Sequence, residues 1–261
     1  GHCVSRRGRR RFDLRPVAGG LDAMALCLTG KSADRVLEVL AQTGGELEPV
    51  SASNLEIFSA NIDDVRDLLG EYQAGDLPLH LLVGRQSDRR TNDVVVARTT
   101  SINLPDGAIK RLDEGLYVSS PELCLLQQAN DLHVANLCQM LGRYFATKAP
   151  SIKDPSVLVD RSPLTSDRDV EGFLAQVPTA RGIRKVREAL RWTAPAAASP
   201  QETNLQLVLT LPPSYGGFGL PKPVMNDRVP LKGVAKGLLR EFMPQAASGR
   251  NARQVNARRL R

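Results

Sequence analysis

The pattern of hydrophobic and polar positions divides the chain into two halves of different character. In the first half, short apolar runs typical of strands alternate with segments whose apolar residues recur at helical spacing. Residues 23–28, 77–83, 93–98 and 115–118 are predicted as strands. Helices are predicted after Ser32, taken as an N-cap, and over residues 61–72. We therefore expect residues 21–118 to form an α/β domain with a small mixed sheet.

The second half has the apolar spacing and the start signals of helices. Ser120 followed by Pro121 and Glu122 combines a capping side chain, the favoured first residue and an acid near the positive helix end. Helices are predicted to about residue 130, over 133–145, after a cap at Thr165 or Ser166, and over 180–192, with a proline-rich connector at 149–163. Residues 119–195 are thus predicted to be mainly helical, and the fold class to be α+β.

A further helix is predicted after Ser199-Pro200-Gln201-Glu202. Glu202 follows the cap serine by three residues, which is the spacing of a capping box. In that motif Ser199 accepts from the N–H of Glu202, and the Glu202 carboxylate accepts from the N–H of Ser199. Such a carboxylate needs no catalytic role. The glycine-rich stretch 216–219 comes after two prolines and is interpreted as a loop.

Charge is concentrated at the two ends of the sequence. The net charge is +7 over 261 residues, while residues 1–15 carry six arginines and one acid and residues 228–261 carry nine cations and one acid. Residues 1–20 are interpreted as a basic arm and residues 232–261 as a basic, partly disordered tail. Basic segments attract nucleic acid through its phosphates, or they simply solvate the ends. DNA is therefore the expected partner if the arms have a binding role.

Other features of composition exclude several classes of protein. No apolar run approaches the roughly 18 residues of a membrane span, so a cytoplasmic protein without a membrane partner is expected. The four cysteines are far apart and form no Cys-x-x-Cys pair, so we expect reduced, buried thiols and no metal site.

Two groups of cations inside the chain are candidates for nucleic-acid contact. Arg85, Arg89 and Arg90 lie between two predicted strands, where a solvated loop is an equally good interpretation. The second group lies on the polar side of the predicted amphipathic helix at 180–192 and consists of Arg181, Arg184 and Lys185. The apolar spacing of this helix is explained equally by an ordinary helix with a solvated polar side.

Several short motifs together resemble a group of actinobacterial proteins. In these, a segment similar to AbiEi-type antitoxins precedes a DUF559, or very-short-patch-repair-like, domain of the PD-(D/E)xK nuclease fold. The resemblance spans about residues 79–226. It rests on GLYVSSPELCLLQ at 115–127, ARG at 180–182, SPQET at 199–203, and GGFGLPKP at 216–223 with Asn226.

The resemblance implies that residues 196–231 begin a nuclease domain in which Glu202 matches a catalytic glutamate. Further acids on strands would then hold Mg²⁺, which activates a water. Downstream of Glu202 only Asp227 and Glu241 are acidic, so the domain is expected to be truncated or divergent after Asn226. The prediction is a DNA-associated protein of nuclease-like ancestry without cleavage activity. The alternatives are a Mg²⁺-dependent endonuclease, a non-enzymatic antitoxin or transcriptional regulator, and a structural or interaction protein.

Overall fold

The computed structural model describes residues 25–51, 58, 77–113, 115–195, 197–223 and 225. The basic arm (1–20), the predicted helix at 61–72 and the tail (232–261) lie outside the described residues. So does the region after Asn226, where the resemblance implies catalytic strands.

A seven-stranded mixed sheet occupies the first half of the described chain. Its strands are β1 (Leu26–Leu28), β2 (Glu48–Val50), β3 (Leu79–Leu82), β4 (Arg90–Thr91), β5 (Val95–Arg98), β6 (Ile109–Asp113) and β7 (Leu116–Ser119). Their order is β2-β6-β7-β1-β3-β5-β4, with β1 parallel to β7, β3 parallel to β5, and the other pairs antiparallel. The four predicted strands are confirmed as β1, β3, β5 and β7, and three further strands were not predicted: β6 beside β7, and the edge strands β2 and β4.

Six helices complete the described fold. They are α1 (Gly30–Thr43), α2 (Pro121–Gln128), α3 (Val134–Phe145), α4 (Asp167–Gln176), α5 (Ile183–Trp192) and α6 (Pro200–Thr210). The α+β class and the mainly helical second half are confirmed. The proline-rich connector also contains a hairpin, β8 (Lys148–Pro150) with β9 (Leu158–Asp160), whose three-residue strands are too short to show an alternating pattern. No described helix is long and apolar enough to cross a membrane.

Local capping signals set the start of most of these helices. The hydroxyls of Ser120 and Ser166 accept from the N–H groups of Leu123 and Asp169 at 3.3 and 3.2 Å, as predicted. The cap predicted at Ser32 is wrong, because α1 already begins at Gly30. The Ser32 hydroxyl instead accepts from the backbone N–H of His80 at 3.0 Å and ties α1 to β3.

The helices pack in two groups around one core. α1 packs on the sheet and against α2, whereas α3 packs against α5 and α6. Gly142 lies where α3 meets α6, and a Cβ atom there would overlap with the side chain of Thr203. The contact therefore depends on glycine, because any larger residue would push the two helices apart.

One buried and one partly exposed ion pair connect α1, α3 and the chain after β9. Asp34 accepts from Arg143 at 2.7 Å, and Arg161 lies 3.5 Å from Glu38 with its side chain only 1% exposed. Burial raises the pKa of Glu38, and Arg161 and Arg143 offset part of that rise. We call Asp34, Glu38, Arg143 and Arg161 the buried ion network.

Three cysteines of the described chain are buried free thiols, as the sequence predicts. They are Cys27, Cys124 and Cys138. Burial raises the pKa of each, to about 11 for Cys138. A thiol with a raised pKa is a weak nucleophile, so these residues act as small core side chains.

Candidate functional site

Glu202, the candidate catalytic residue, caps the start of α6. The Ser199 hydroxyl accepts from the Glu202 N–H at 3.3 Å, which is the predicted half of the capping box. The return bond differs from the prediction, because Glu202 Oε2 accepts from the N–H of Ala198 at 3.0 Å, one residue earlier. Within the part of the chain that the structure describes, no group of three or more His, Cys, Asp or Glu residues could hold a metal ion.

The glycine-rich stretch after α6 is a loop that closes the end of that helix, as predicted. The N–H groups of Phe218, Gly219 and Leu220 donate to the carbonyls of Val208, Leu211 and Leu209 at 2.9–3.0 Å. These carbonyls belong to the last turn of α6 or follow it directly, where intrahelical donors run out.

The same loop packs closely on the end of α6 and also contacts α5. At Gly217 a Cβ atom would overlap with the carbonyl of Leu211, just after α6, so only glycine fits there. Lys222 donates to the carbonyls of Arg191 and Thr193 at the end of α5. The Tyr215 hydroxyl donates to Glu188 at 2.8 Å. The motif that resembles the start of a nuclease domain therefore joins α5 to α6.

A cavity of about 300 Å³ lies beside α2. The start of α1, strand β3, the chain after β5, the C-terminal part of α2 and the turn before α5 surround it. Its polar residues are Thr29, Lys31, His80, Arg98, Thr99, Thr100, Ser101, Gln127, Gln128, Asn130, Asp131 and Arg181, and its larger apolar residues are Ile102, Leu123, Leu126 and Leu132.

Positive charge predominates at the cavity. Lys31, Arg98 and Arg181 contribute cations, while Asp131 is the single acid of the described lining and accepts from Arg98 at 2.9 Å. Burial lowers the pKa of His80, and the charges of Arg98 and Lys31 lower it further, against a smaller opposite effect of Asp131. His80 is therefore neutral near pH 7, since an unperturbed histidine titrates near pH 6.5.

A chain of hydroxyls orients one wall of the cavity. Ser119 donates to Thr29 at 2.9 Å, and Thr29 in turn donates to the side-chain carbonyl of Gln127. The neighbouring Gln128 has its Nε2 buried without a hydrogen-bond partner among the described residues. The Gln127 amide is thus held in place beside the apolar residues of the lining.

A shallower groove of about 880 Å³ adjoins the cavity. Gln86, Arg89, Arg90, Thr91 and Ala97 line it together with four residues that also line the cavity: Arg98, Thr99, Ser101 and Asp131. The two concavities are therefore continuous, with five cations and one carboxylate in their described lining. We call Lys31, Arg89, Arg90, Arg98 and Arg181 the basic surface.

The structure brings together three of the six predicted nucleic-acid contacts. Arg89 and Arg90 line the groove, and Arg181 lines the cavity. Arg85 precedes a short 3₁₀ helix (Gln86–Asp88) and lines neither concavity.

The other two predicted contacts lie on α5 and do not line these concavities. Arg184 is exposed. Lys185 donates to the carbonyl of Leu132 at 2.9 Å, so its charge is used to hold α5 against the chain between α2 and α3.

Lys31 and Arg98 are members of the basic surface that the sequence pattern does not single out. Thr29-Gly30-Lys31 spans the junction of a buried strand and the start of a helix, where a small residue and a cation are a usable signal for a binding site. Arg98 ends a predicted strand, and its proximity to Arg181 depends on the tertiary fold.

Comparison of the chain with family models, with curated proteins and with solved structures finds no match in any of the three. The geometry of the basic surface and of the α5–α6 junction is therefore the ground for inference about function.

Proposed function

We propose that this protein binds DNA through the basic surface without cleaving it. The observation that carries the proposal is the joined groove and cavity, whose described lining has five cations and one carboxylate. Cations in a concave surface attract phosphate groups, and release of counterions supplies most of the affinity. The basic arm and tail of the sequence would add to this attraction.

The capping contacts of Glu202 support a binding role over Mg²⁺-dependent cleavage. Its carboxylate accepts from the N–H of Ala198, and the described residues offer no group of further acids to complete a metal site. The resemblance to nuclease-domain proteins then reflects ancestry. The same basic surface would serve a non-enzymatic antitoxin or transcriptional regulator, which is the other function that the resemblance implies.

Buried, unpaired thiols suit a reducing compartment, so we place this activity in the cytoplasm. The partner in this proposal is DNA recognised through its backbone. No sequence preference is part of the proposal, because phosphate contacts position a protein on DNA but do not read its bases.

The proposal is tested by fluorescence anisotropy, which measures the affinity of the full chain for a 20-base-pair duplex. The measurement is repeated at salt concentrations between about 50 and 200 mM. The double variant Arg89→Ala/Arg90→Ala is expected to weaken binding and to reduce the slope of log K against log salt by about 2, roughly one for each phosphate that is no longer neutralised. The matched control is Arg168→Ala/Arg184→Ala, which removes two exposed cations from α4 and α5.

The two double variants carry the same change in net charge, so the control isolates position. Equal weakening in both would assign binding to general charge or to the basic ends and would overturn the role of the groove. Absence of duplex binding by the unmodified chain would overturn the proposal as a whole.

A further inference from the structure

We infer that the cavity accepts one unstacked nucleotide from a strand whose backbone lies in the groove. This inference rests on the proposed function, since it assigns the groove to nucleic acid. It adds a site for the base inside the cavity, whose amide and apolar residues do not line the groove, and it uses the cations of the shared rim for the phosphate.

The size and floor of the cavity suit a single base. At about 300 Å³ it is at the lower end of the range for small-molecule sites. Ile102, Leu126 and Leu132 provide an apolar surface for the face of a ring. An unstacked base needs such a surface, because its flat faces are poorly solvated once they leave the stack.

The polar wall suits the edge of a base. Gln127 is oriented by the hydroxyl of Thr29, which donates to its carbonyl and so leaves the amide N–H₂ as the end available to a ligand. Gln128 and Asn130 line the same cavity and bring two further side-chain amides to it. Side-chain amides both donate and accept, as the edge of a nucleobase requires.

The rim suits a phosphate. Lys31 and Arg181 line the cavity without an ion pair in the described chain, and α1 begins beside Lys31 with no acid in its first turn. The positive end of the helix dipole adds to these cations. Arg98 lines both concavities, so a phosphate near it would be continuous with a backbone in the groove.

A single-stranded 12-nucleotide probe with one 2-aminopurine tests the inference, because this base fluoresces more strongly when it leaves the stack. With the full, unmodified chain in excess, we expect a several-fold rise in fluorescence. The variant Ile102→Phe fills the cavity and is expected to remove most of that rise and to weaken binding about five-fold, the lower end of what one stacked base contributes. Ile152→Phe, a half-buried isoleucine of the β8–β9 hairpin, is the matched control.

A second variant covers the case in which Ile102→Phe fails to fold. Gln128→Met keeps the length of the side chain and removes one amide from the cavity lining, so it too is expected to reduce the rise. The groove variant Arg89→Ala/Arg90→Ala is expected to weaken binding while the rise persists at saturating protein.

The outcomes separate the two proposals. If the probe binds but its fluorescence is unchanged, or if neither cavity variant alters the rise, the nucleotide site is overturned and DNA binding by the groove stands. If neither duplex nor probe binds, both proposals fail. If free AMP binds while the probe shows no rise, the cavity takes a free nucleotide, which overturns the inference for a strand.

Discussion

Two regions of the molecule use polar and charged residues in opposite ways. On one side, which we call the packed side, the buried ion network, the Ser199 cap and the loop after α6 pair their polar groups within the protein. On the other, the basic surface leaves several cations at solvent in a concave face. The motifs that first suggest chemistry in the sequence belong to the packed side, whereas the groups free to meet a ligand lie in the basic surface.

The strongest test of this contrast replaces one arginine on each side by methionine. Arg161→Met is expected to lower the free energy of unfolding by about 3 kcal/mol or more, because it leaves Glu38 buried without its partner. Arg98→Met is expected to cost less than about 1 kcal/mol, since its pair with Asp131 is more than half exposed. Urea unfolding of both variants measures the difference, and similar decreases in the two would contradict the contrast.

A smaller loss of stability is expected from a substitution in the loop that closes α6. Gly217→Ala should lower stability by about 2–3 kcal/mol, because the new methyl group meets the Leu211 carbonyl, which cannot move away as a flexible side chain would. Gly172→Ala in α4 is the control, since a Cβ there meets nothing within 4 Å and should add about 0.5–1 kcal/mol to stability. Thermal unfolding should show a lower Tm than that of the unmodified chain for Gly217→Ala and a higher one for Gly172→Ala.

The Glu202 cap should contribute less again. Glu202→Ala is expected to cost about 1 kcal/mol because the bond from Ala198 disappears, whereas Glu202→Gln keeps an acceptor and should cost less than half of that. DNA affinity should not change in either variant. Mg²⁺-dependent cleavage that Glu202→Gln abolishes at unchanged stability would show that the capping interpretation is wrong.

The smallest expected effect concerns His80 and pH. Its pKa is lowered in the folded protein, chiefly by burial, so below about pH 6.5 the unfolded chain binds more protons at this residue. Its contribution to stability is therefore complete above that pH and disappears as pH falls. Between pH 7.5 and pH 5.5, unfolding measurements should show a smaller decrease in stability for His80→Gln than for the unmodified chain.

Comparing His80→Gln with the unmodified chain removes the influence of other groups on the pH dependence of stability. Glu38 acts in the opposite direction, because its raised pKa favours the folded state as pH falls, but that effect is shared by both proteins and cancels in the difference. An identical pH dependence in the two would mean that His80 titrates normally.

The sequence predicts what is encoded locally. Ser120, Ser166 and Ser199 start helices through bonds that reach three residues along the chain, and each is confirmed. The apolar runs predict the main strands because burial imposes its pattern on each strand separately. The order of the strands depends on pairings between distant segments, which no local pattern encodes.

The sequence predicts only part of the basic surface, because its residues come from segments that are distant along the chain. Arg89 and Arg181 are candidates from the sequence, but their relation to Lys31 and Arg98 exists only once the sheet and α2 bring four separate segments together. Glu202 has two interpretations in the sequence, and its hydrogen bond from Ala198 favours the structural one.

The loop after α6 has a consequence for hydrogen exchange. Its three amides at Phe218, Gly219 and Leu220 donate to carbonyls at the end of α6 although they lie outside any helix. Exchange of these amides with deuterated solvent therefore requires that the loop separate from the end of α6. These amides should exchange more slowly than amides of loops that lack such bonds, and their rates would report how often the loop leaves the end of α6 in the native protein.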